Sequence, residues 1–387
     1  MIDLPPSVLV VRGEPGDTAI VFFSSVNSNG FSFFRQTAGL RAHRIYVRDP
    51  YDAWYQKGIA ETVPSVEAVA DLLRGVVSDL RPARTATFGT SMGGYASVLF
   101  GNLIGVDTVI ASSPQTLIDA RLPHTPAQDF SASPTFDLAD LIADNAPLRR
   151  HWISFGCADF VDIYNSIRVP WPTARLYPVA NEDHLVAVGL ARTGAFQRLF
   201  DAALAGEEAP DLAVTLDARL ADETLAVLVR RFVETAYLAA PGDRLAILAA
   251  LLERDETWPA THHALAWCLN RDRRPEEAAV HAMRAAELAP QSVTIASDLA
   301  AILQRLGRTD EAIAAYGRCL KLRPRHYAAL VSLAQLHHER GEAETALRYI
   351  DMAVDVRPRL ARGHAVRRMI LGEATGAPPP AGEPEDM

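Results

Sequence analysis

The run Gly89-Thr90-Ser91-Met92-Gly93 sets a serine between two glycines, a spacing that suits nucleophilic chemistry. It follows an apolar, strand-like stretch, Thr85-Ala86-Thr87-Phe88, and precedes a helix-like stretch from Tyr95 to Ile104. A serine on a sharp strand-to-helix turn sits in strained backbone. Gly89 and Gly93 remove the Cβ atoms that would collide across such a turn. Gly94 adds room for the helix to pack close to a sheet. The hydroxyl then projects at the positive end of the helix, a position suited to attack on a carbonyl and to holding the resulting oxyanion.

Elements that could position this serine alternate along residues 1 to about 205. Val8–Val11, Ala19–Phe23, Arg44–Val47, Thr85–Phe88, Asp107–Ala111, His151–Phe155 and Thr173–Tyr177 read as strands. Val63–Leu80 reads as an amphipathic helix and Leu185–Leu204 as a closing one. Strands alternating with helices imply βαβ units, a mostly parallel sheet flanked by helices and an α/β fold class. The proline-rich stretch from Ser113 to Asn145 interrupts the rhythm and reads as a small lid or substrate loop.

The serine needs a base, and the base needs a carboxylate to fix its tautomer. His43, His124 and His151 do not follow the last strand, whereas His184 does, in Asn181-Glu182-Asp183-His184. Gly156-Cys157-Ala158-Asp159 follows the penultimate strand and offers Asp159 as the acid, with Asp162 three residues on as the competitor. With elbow, acid and histidine in this order, residues 1–205 resemble an α/β-hydrolase domain. The resemblance implies a Ser–His–Asp mechanism without cofactor or metal. Ser91 attacks, His184 carries the proton, Asp159 orients His184, and the backbone N–H groups of Met92 and Ser25 hold the oxyanion. The HGGG motif of lipases is missing from this chain.

The cluster Arg48-Asp49-Pro50-Tyr51-Asp52-Ala53-Trp54-Tyr55 follows a strand. Asp49, Trp54 and Tyr55 either line a pocket for a polar substrate or build a structural turn. The cluster is similar to one in hydrolases associated with bacterial polysaccharide assembly, which implies a small-molecule or saccharide acyl ester as substrate. Ester hydrolysis, acyl transfer by the same triad, and an inactive hydrolase-like scaffold are the three functional readings.

Beyond a helical connector at 206–257, residues 258–372 repeat. Pro290, Pro324 and Pro358 are 34 apart (324−290 and 358−324), and Ala278, Ala312 and Ala346 keep the interval. This period and pattern resemble tetratricopeptide repeats: three units and a capping helix in an all-α solenoid. The resemblance implies a protein or peptide partner on the concave face, or support of a homodimer. Residues 373–387, with Pro378-Pro379-Pro380, read as a disordered tail.

A net charge of −9 over 387 residues argues against a nucleic-acid partner. Cys157, Cys268 and Cys319 are too scattered for a disulfide framework. No stretch reaches the ~18 apolar residues of a membrane span. The N-terminus lacks a basic, then apolar, leader pattern. Together these give an expectation of a cytoplasmic protein with no membrane partner.

Overall fold

The computed structural model describes residues 3–372 apart from 27, 29, 126–127, 146–149, 170, 172, 241 and 359. The tail at 373–387 therefore lies outside the described residues. The chain divides into two compact units, one running to Asp255 and one starting at Glu256. Nearly all of the expected connector thus belongs to the first unit.

Strands β1 (Val8–Val11), β2 (Ala19–Phe23), β3 (His43–Val47), β4 (Thr85–Thr90), β5 (Thr108–Ser112), β6 (Arg150–Gly156) and β7 (Ala174–Val179) form one sheet. Its order is β1-β3-β2-β4-β5-β6-β7. β1 pairs antiparallel with β3, and every other neighbouring pair is parallel. β2 is buried along its whole length, which is why Ala19-Ile20-Val21-Phe22-Phe23 is apolar without alternation. Phe22 packs on Tyr46, Phe88 and Phe200, while Phe23 stacks on Phe100.

The helices of this unit are α1 (Val66–Leu80), α2 (Met92–Ile104), α3 (Ala139–Asn145), α4 (Phe160–Ile167), α5 (Val186–Arg192), α6 (Ala195–Ala205), α7 (Glu223–Ala236) and α8 (Arg244–Arg254). The Ser65 hydroxyl accepts from Ala68 N–H at 3.2 Å and starts α1, one turn short of the expected Val63. The expected closing helix is two helices, because Gly194 at φ 71° turns the chain between α5 and α6. Residues after α6 return along the sheet edge. Asp217 N–H donates to Pro178 O at 2.7 Å and Ala180 N–H to Thr215 O at 3.0 Å, occupying backbone groups of β7 that an open edge would leave unpaired. Phe232 on α7 meets Phe160 on α4 edge-on at 5.6 Å.

Sheet topology fixes where chemistry can occur. The chain leaves β2 for β3 on one side, then places β4 on the other. In open α/β sheets such a reversal opens a crevice at the carboxyl ends of the flanking strands. Register brings those ends level: Phe23 opposes Gly89, Thr90 opposes Ser112, and Ser112 opposes Ser154. The residues that follow β2, β4, β5 and β6 therefore share one edge.

The second unit is helical. Helices α9 (Pro259–Arg271), α10 (Pro275–Leu288), α11 (Val293–Arg305), α12 (Thr309–Leu322), α13 (Tyr327–Glu339) and α14 (Ala343–Val356) form three pairs among the described residues, followed by α15 (Ala361–Leu371). Successive first helices start 34 residues apart (293−259, 327−293, 361−327). Ala278, Ala312 and Ala346 are fully buried, so these small side chains set how closely the paired helices approach. None of the described helices is long and apolar enough to cross a membrane.

Each turn within a pair needs a left-handed residue. Gly307 (φ 69°) and Gly341 (φ 76°) supply it in the second and third pairs. Arg273 occupies the same position in the first pair at φ 60°. A side chain in that region costs about 1 kcal/mol relative to glycine. Arg273→Gly is therefore expected to stabilise the repeat unit by about 1 kcal/mol. An upward shift in the midpoint of its urea unfolding would show this, and an unchanged or lowered midpoint would contradict it.

Candidate active site

Ser91 stands between β4 and α2 with φ 54° and ψ −123°, a strained combination for a residue with a side chain. Its N–H donates to Ser112 O at 2.9 Å, and its carbonyl accepts from Tyr95 N–H at 2.9 Å as the first bond of α2. The glycines are sterically obligatory. A Cβ on Gly89 would lie 1.9 Å from Gly93 O, and one on Gly93 would lie 2.4 Å from Phe23 O. The motif thus lets α2 press its first turn against the ends of β2 and β4.

His184 comes from the loop between β7 and α5. That loop is clamped to the turn after β6: Ala158 N–H donates to Glu182 O at 2.8 Å and Cys157 N–H to Val179 O at 3.0 Å. A Cβ on Gly156 would meet Asp183 O at 2.3 Å, so glycine is what allows this approach. Asp183 accepts from Leu185 N–H at 2.8 Å in the turn that leads into α5. The result carries His184 Nε2 to 2.9 Å from Ser91 Oγ.

The carboxylate on the other ring nitrogen belongs to Asp162. Its Oδ1 lies 2.7 Å from His184 Nδ1, and its Oδ2 accepts from Ser113 Oγ at 2.7 Å. Both oxygens of a side chain only 3% exposed are thus engaged. Asp159, the expected acid, is placed differently. It is the N-cap of α4 and accepts from Val161 N–H at 2.8 Å and Asp162 N–H at 3.4 Å. An extended cap residue turns its carboxylate onto the helix end. One turn on, Asp162 faces the histidine. Asp159 Oδ2 instead lies 2.9 Å from His124 Nε2.

Met92 provides the first backbone N–H of α2, a position with no acceptor within its own helix. Ser25 follows β2 and lies beside the elbow, its hydroxyl donating to Thr90 O at 2.7 Å and lying 2.9 Å from Thr90 Oγ1. Of the two readings of the aromatic cluster, the buried side chains fit the structural turn. Asp49, Trp54 and Tyr55 are 3%, 4% and 0% exposed. Asp49 accepts the backbone N–H groups of Tyr51, Ala53 and Tyr55 at 2.8–2.9 Å, and burial raises its pKa against those bonds. Tyr55 O–H reaches Ser24 O and Val47 O, both at 3.2 Å. These side chains build a turn under the surface. A separate cavity of about 400 Å³, lined by Leu9 and residues 31–36, contains none of Ser91, His184 and Asp162.

Two neighbours of Ser91 and His184 were not singled out by sequence. Gln115 Nε2 lies 3.4 Å from both Ser91 Oγ and His184 Nε2, while its buried Oε1 has no hydrogen-bond partner among the described residues. The His124 ring lies flat on the His184 ring, with centroids 3.9 Å apart and planes 3° from parallel. Both belong to the irregular segment after β5, whose ends are tied by Arg168 on Asp137 and by Ile118 N–H on Phe136 O at 2.9 Å. Neither carries a sequence signal beyond residue type.

A tetratricopeptide repeat model matches residues 303–370. No curated protein sequence matches the chain. Among solved structures, a crystal structure of MamA is 14% identical over 41% of this chain and 85% of its own, with a TM-score of 0.32. MamA 41-end from Desulfovibrio magneticus RS-1 is 20% identical over 30% of this chain and 64% of its own, with a TM-score of 0.29. The Arabidopsis OM64 TPR domain is 12% identical over 29% of this chain and 93% of its own, at 0.28. The chain thus joins an N-terminal mixed α/β sheet unit to C-terminal tetratricopeptide repeats.

Proposed function

We propose that residues up to Asp255 are an α/β-hydrolase-type serine hydrolase acting on a carboxylic ester or related acyl bond. The observation that carries this reading is the continuous line from Ser91 Oγ through His184 to Asp162, with contacts of 2.9 and 2.7 Å, at the end of β4 beside the strand-order reversal. The geometry satisfies the order of tests for a nucleophile: a base within reach, then an orienting group on that base.

Ser91 Oγ attacks the acyl carbonyl carbon as its proton passes to His184 Nε2. Asp162 holds the Nδ1–H tautomer and offsets the positive charge that forms on the ring. The carbonyl oxygen becomes negative and accepts from Met92 N–H, with Ser25 N–H as the proposed second donor. Collapse expels the alcohol, which takes the proton from Nε2. Water then repeats the steps on the acyl-enzyme and restores Ser91.

The repeats from Glu256 onward are proposed to bind a protein or peptide partner. Tetratricopeptide helices stack to leave a continuous concave face, and one structural neighbour is the first TPR of Spaghetti (RPAP3) bound to an HSP90 peptide. The mutual contacts of Ser91, His184 and Asp162 favour an active enzyme over an inert scaffold. The full chain is expected to release p-nitrophenol from one or more acyl esters in a series of increasing chain length, and His184→Ala to reduce that rate by about 10⁴-fold or more. Equal turnover by wild type and His184→Ala would refute the reading.

A further inference from the structure

We propose that His124 and Asp159 form a second imidazole–carboxylate pair that lies against His184 and sets the acid limit of Ser91 reactivity. This inference rests on the serine hydrolase reading and names the regulation of the same site. The two pairs run side by side: His184 on Asp162 at 2.7 Å, and His124 on Asp159 at 2.9 Å. Both carboxylates come from the start of α4, as its cap and its first turn. The rings stack face to face at 3.9 Å.

Charge decides what such a stack can do. One protonated ring against one neutral ring is favourable, whereas two protonated rings repel at contact distance. The groups facing His124 are Asp159 and Asp162 from α4, and Asp183 and His184 from the loop after β7. On its own segment, Arg121 is paired with Asp119. Burial works against charge on His124, but the Asp159 hydrogen bond and the three carboxylates outweigh it and hold its pKa up at about 9. His124 is therefore the charged ring at neutral pH. A doubly protonated stack would set two like charges face to face at 3.9 Å, and this repulsion is the route by which the pair bears on Ser91 reactivity at low pH. His124 does not touch the reacting atoms and acts through His184, which makes it a positioning residue.

The segment bearing His124 is tied down by this pair. Its φ of 64° is a left-handed turn that a side chain adopts only at some cost, which contacts at the ring can offset. Sequence placed His124 in an irregular loop with no evident role; the stack gives it one.

Two measurements on the full chain separate this inference from the reading it rests on. Imidazole NMR of wild type is expected to show His124 titrating near the value of about 9, and near the ordinary value of about 6.5 in Asp159→Asn. An ordinary midpoint in wild type overturns the inference, whether or not the enzyme acts on esters. The rate of fluorophosphonate labelling at Ser91 is then followed against pH. In His124→Phe, which keeps a flat ring without charge, the acid limb is expected to move up by about one pH unit. Asp159→Asn, which keeps the helix cap, is expected to move it the same way. Full labelling at Ser91 with both limbs unmoved overturns the inference and leaves the serine hydrolase reading intact. Absence of Ser91 labelling in wild type refutes that reading and, with it, the regulatory role of the pair.

Discussion

Asp162→Asn is expected to lower kcat/KM on any accepted ester by about 10⁴-fold, with the fold unchanged by circular dichroism. The amide keeps the shape of the carboxylate but presents a donor or a neutral oxygen to His184 Nδ1. The ring then loses both the fixed tautomer that leaves Nε2 free to accept and the charge that stabilises the imidazolium. Ser113 Oγ, which donates to Oδ2 at 2.7 Å, holds the side chain in place in either form. Asp159→Asn is the matched comparison. Asparagine is as good a helix cap as aspartate, so α4 keeps its start. Its loss is expected to be about tenfold or less, read mainly as a moved pH profile. Equal or larger loss in Asp159→Asn than in Asp162→Asn would overturn the assignment of the acid.

Ser91→Gly is expected to abolish turnover, by about 10⁴-fold or more, while making the first unit more stable. Ser91 sits at φ 54° and ψ −123°, where a Cβ is costly and glycine is not. Relief of that strain, partly offset by the greater freedom of glycine in the unfolded chain, leaves a gain of about 1 kcal/mol. For a unit of this size that raises Tm by about 2–4 °C. Calorimetry reads the stability and ester hydrolysis the activity. A lower Tm would mean the elbow is not strained at Ser91. Retained turnover would mean another group is the nucleophile.

The expected strands are all present; the central ones, such as Ala19–Phe23 and Thr108–Ser112, are short apolar runs buried along their whole length. The elbow was legible because its glycines answer a steric demand that no other residue meets. His184 was legible from its place after the final strand. The carboxylate that meets His184 was not, and the reason is local. Asp159 and Asp162 both follow β6 within one helical turn, and both residue types suit either a cap or a partner. Only the direction of the helix start decides which carboxylate is consumed by backbone N–H groups. The Asp49–Trp54–Tyr55 cluster stayed open between pocket and turn for a related reason: an aspartate that accepts three backbone N–H groups looks, in sequence, like one that awaits a substrate. Gln115 and His124 depend on a long irregular segment folding back over the sheet edge, and no periodicity encodes that. In the second unit the 34-residue interval made the helix pairs legible, and Arg273 stands at the one of the three turns where glycine is replaced.

Peptide mapping of the wild-type chain after reaction with a fluorophosphonate reads out whether Ser91 is the reactive serine. One dominant phosphonyl adduct is expected, carried on the peptide containing Ser91. Modification centred on a different serine, or none under conditions where an unrelated serine esterase reacts fully, would contradict it.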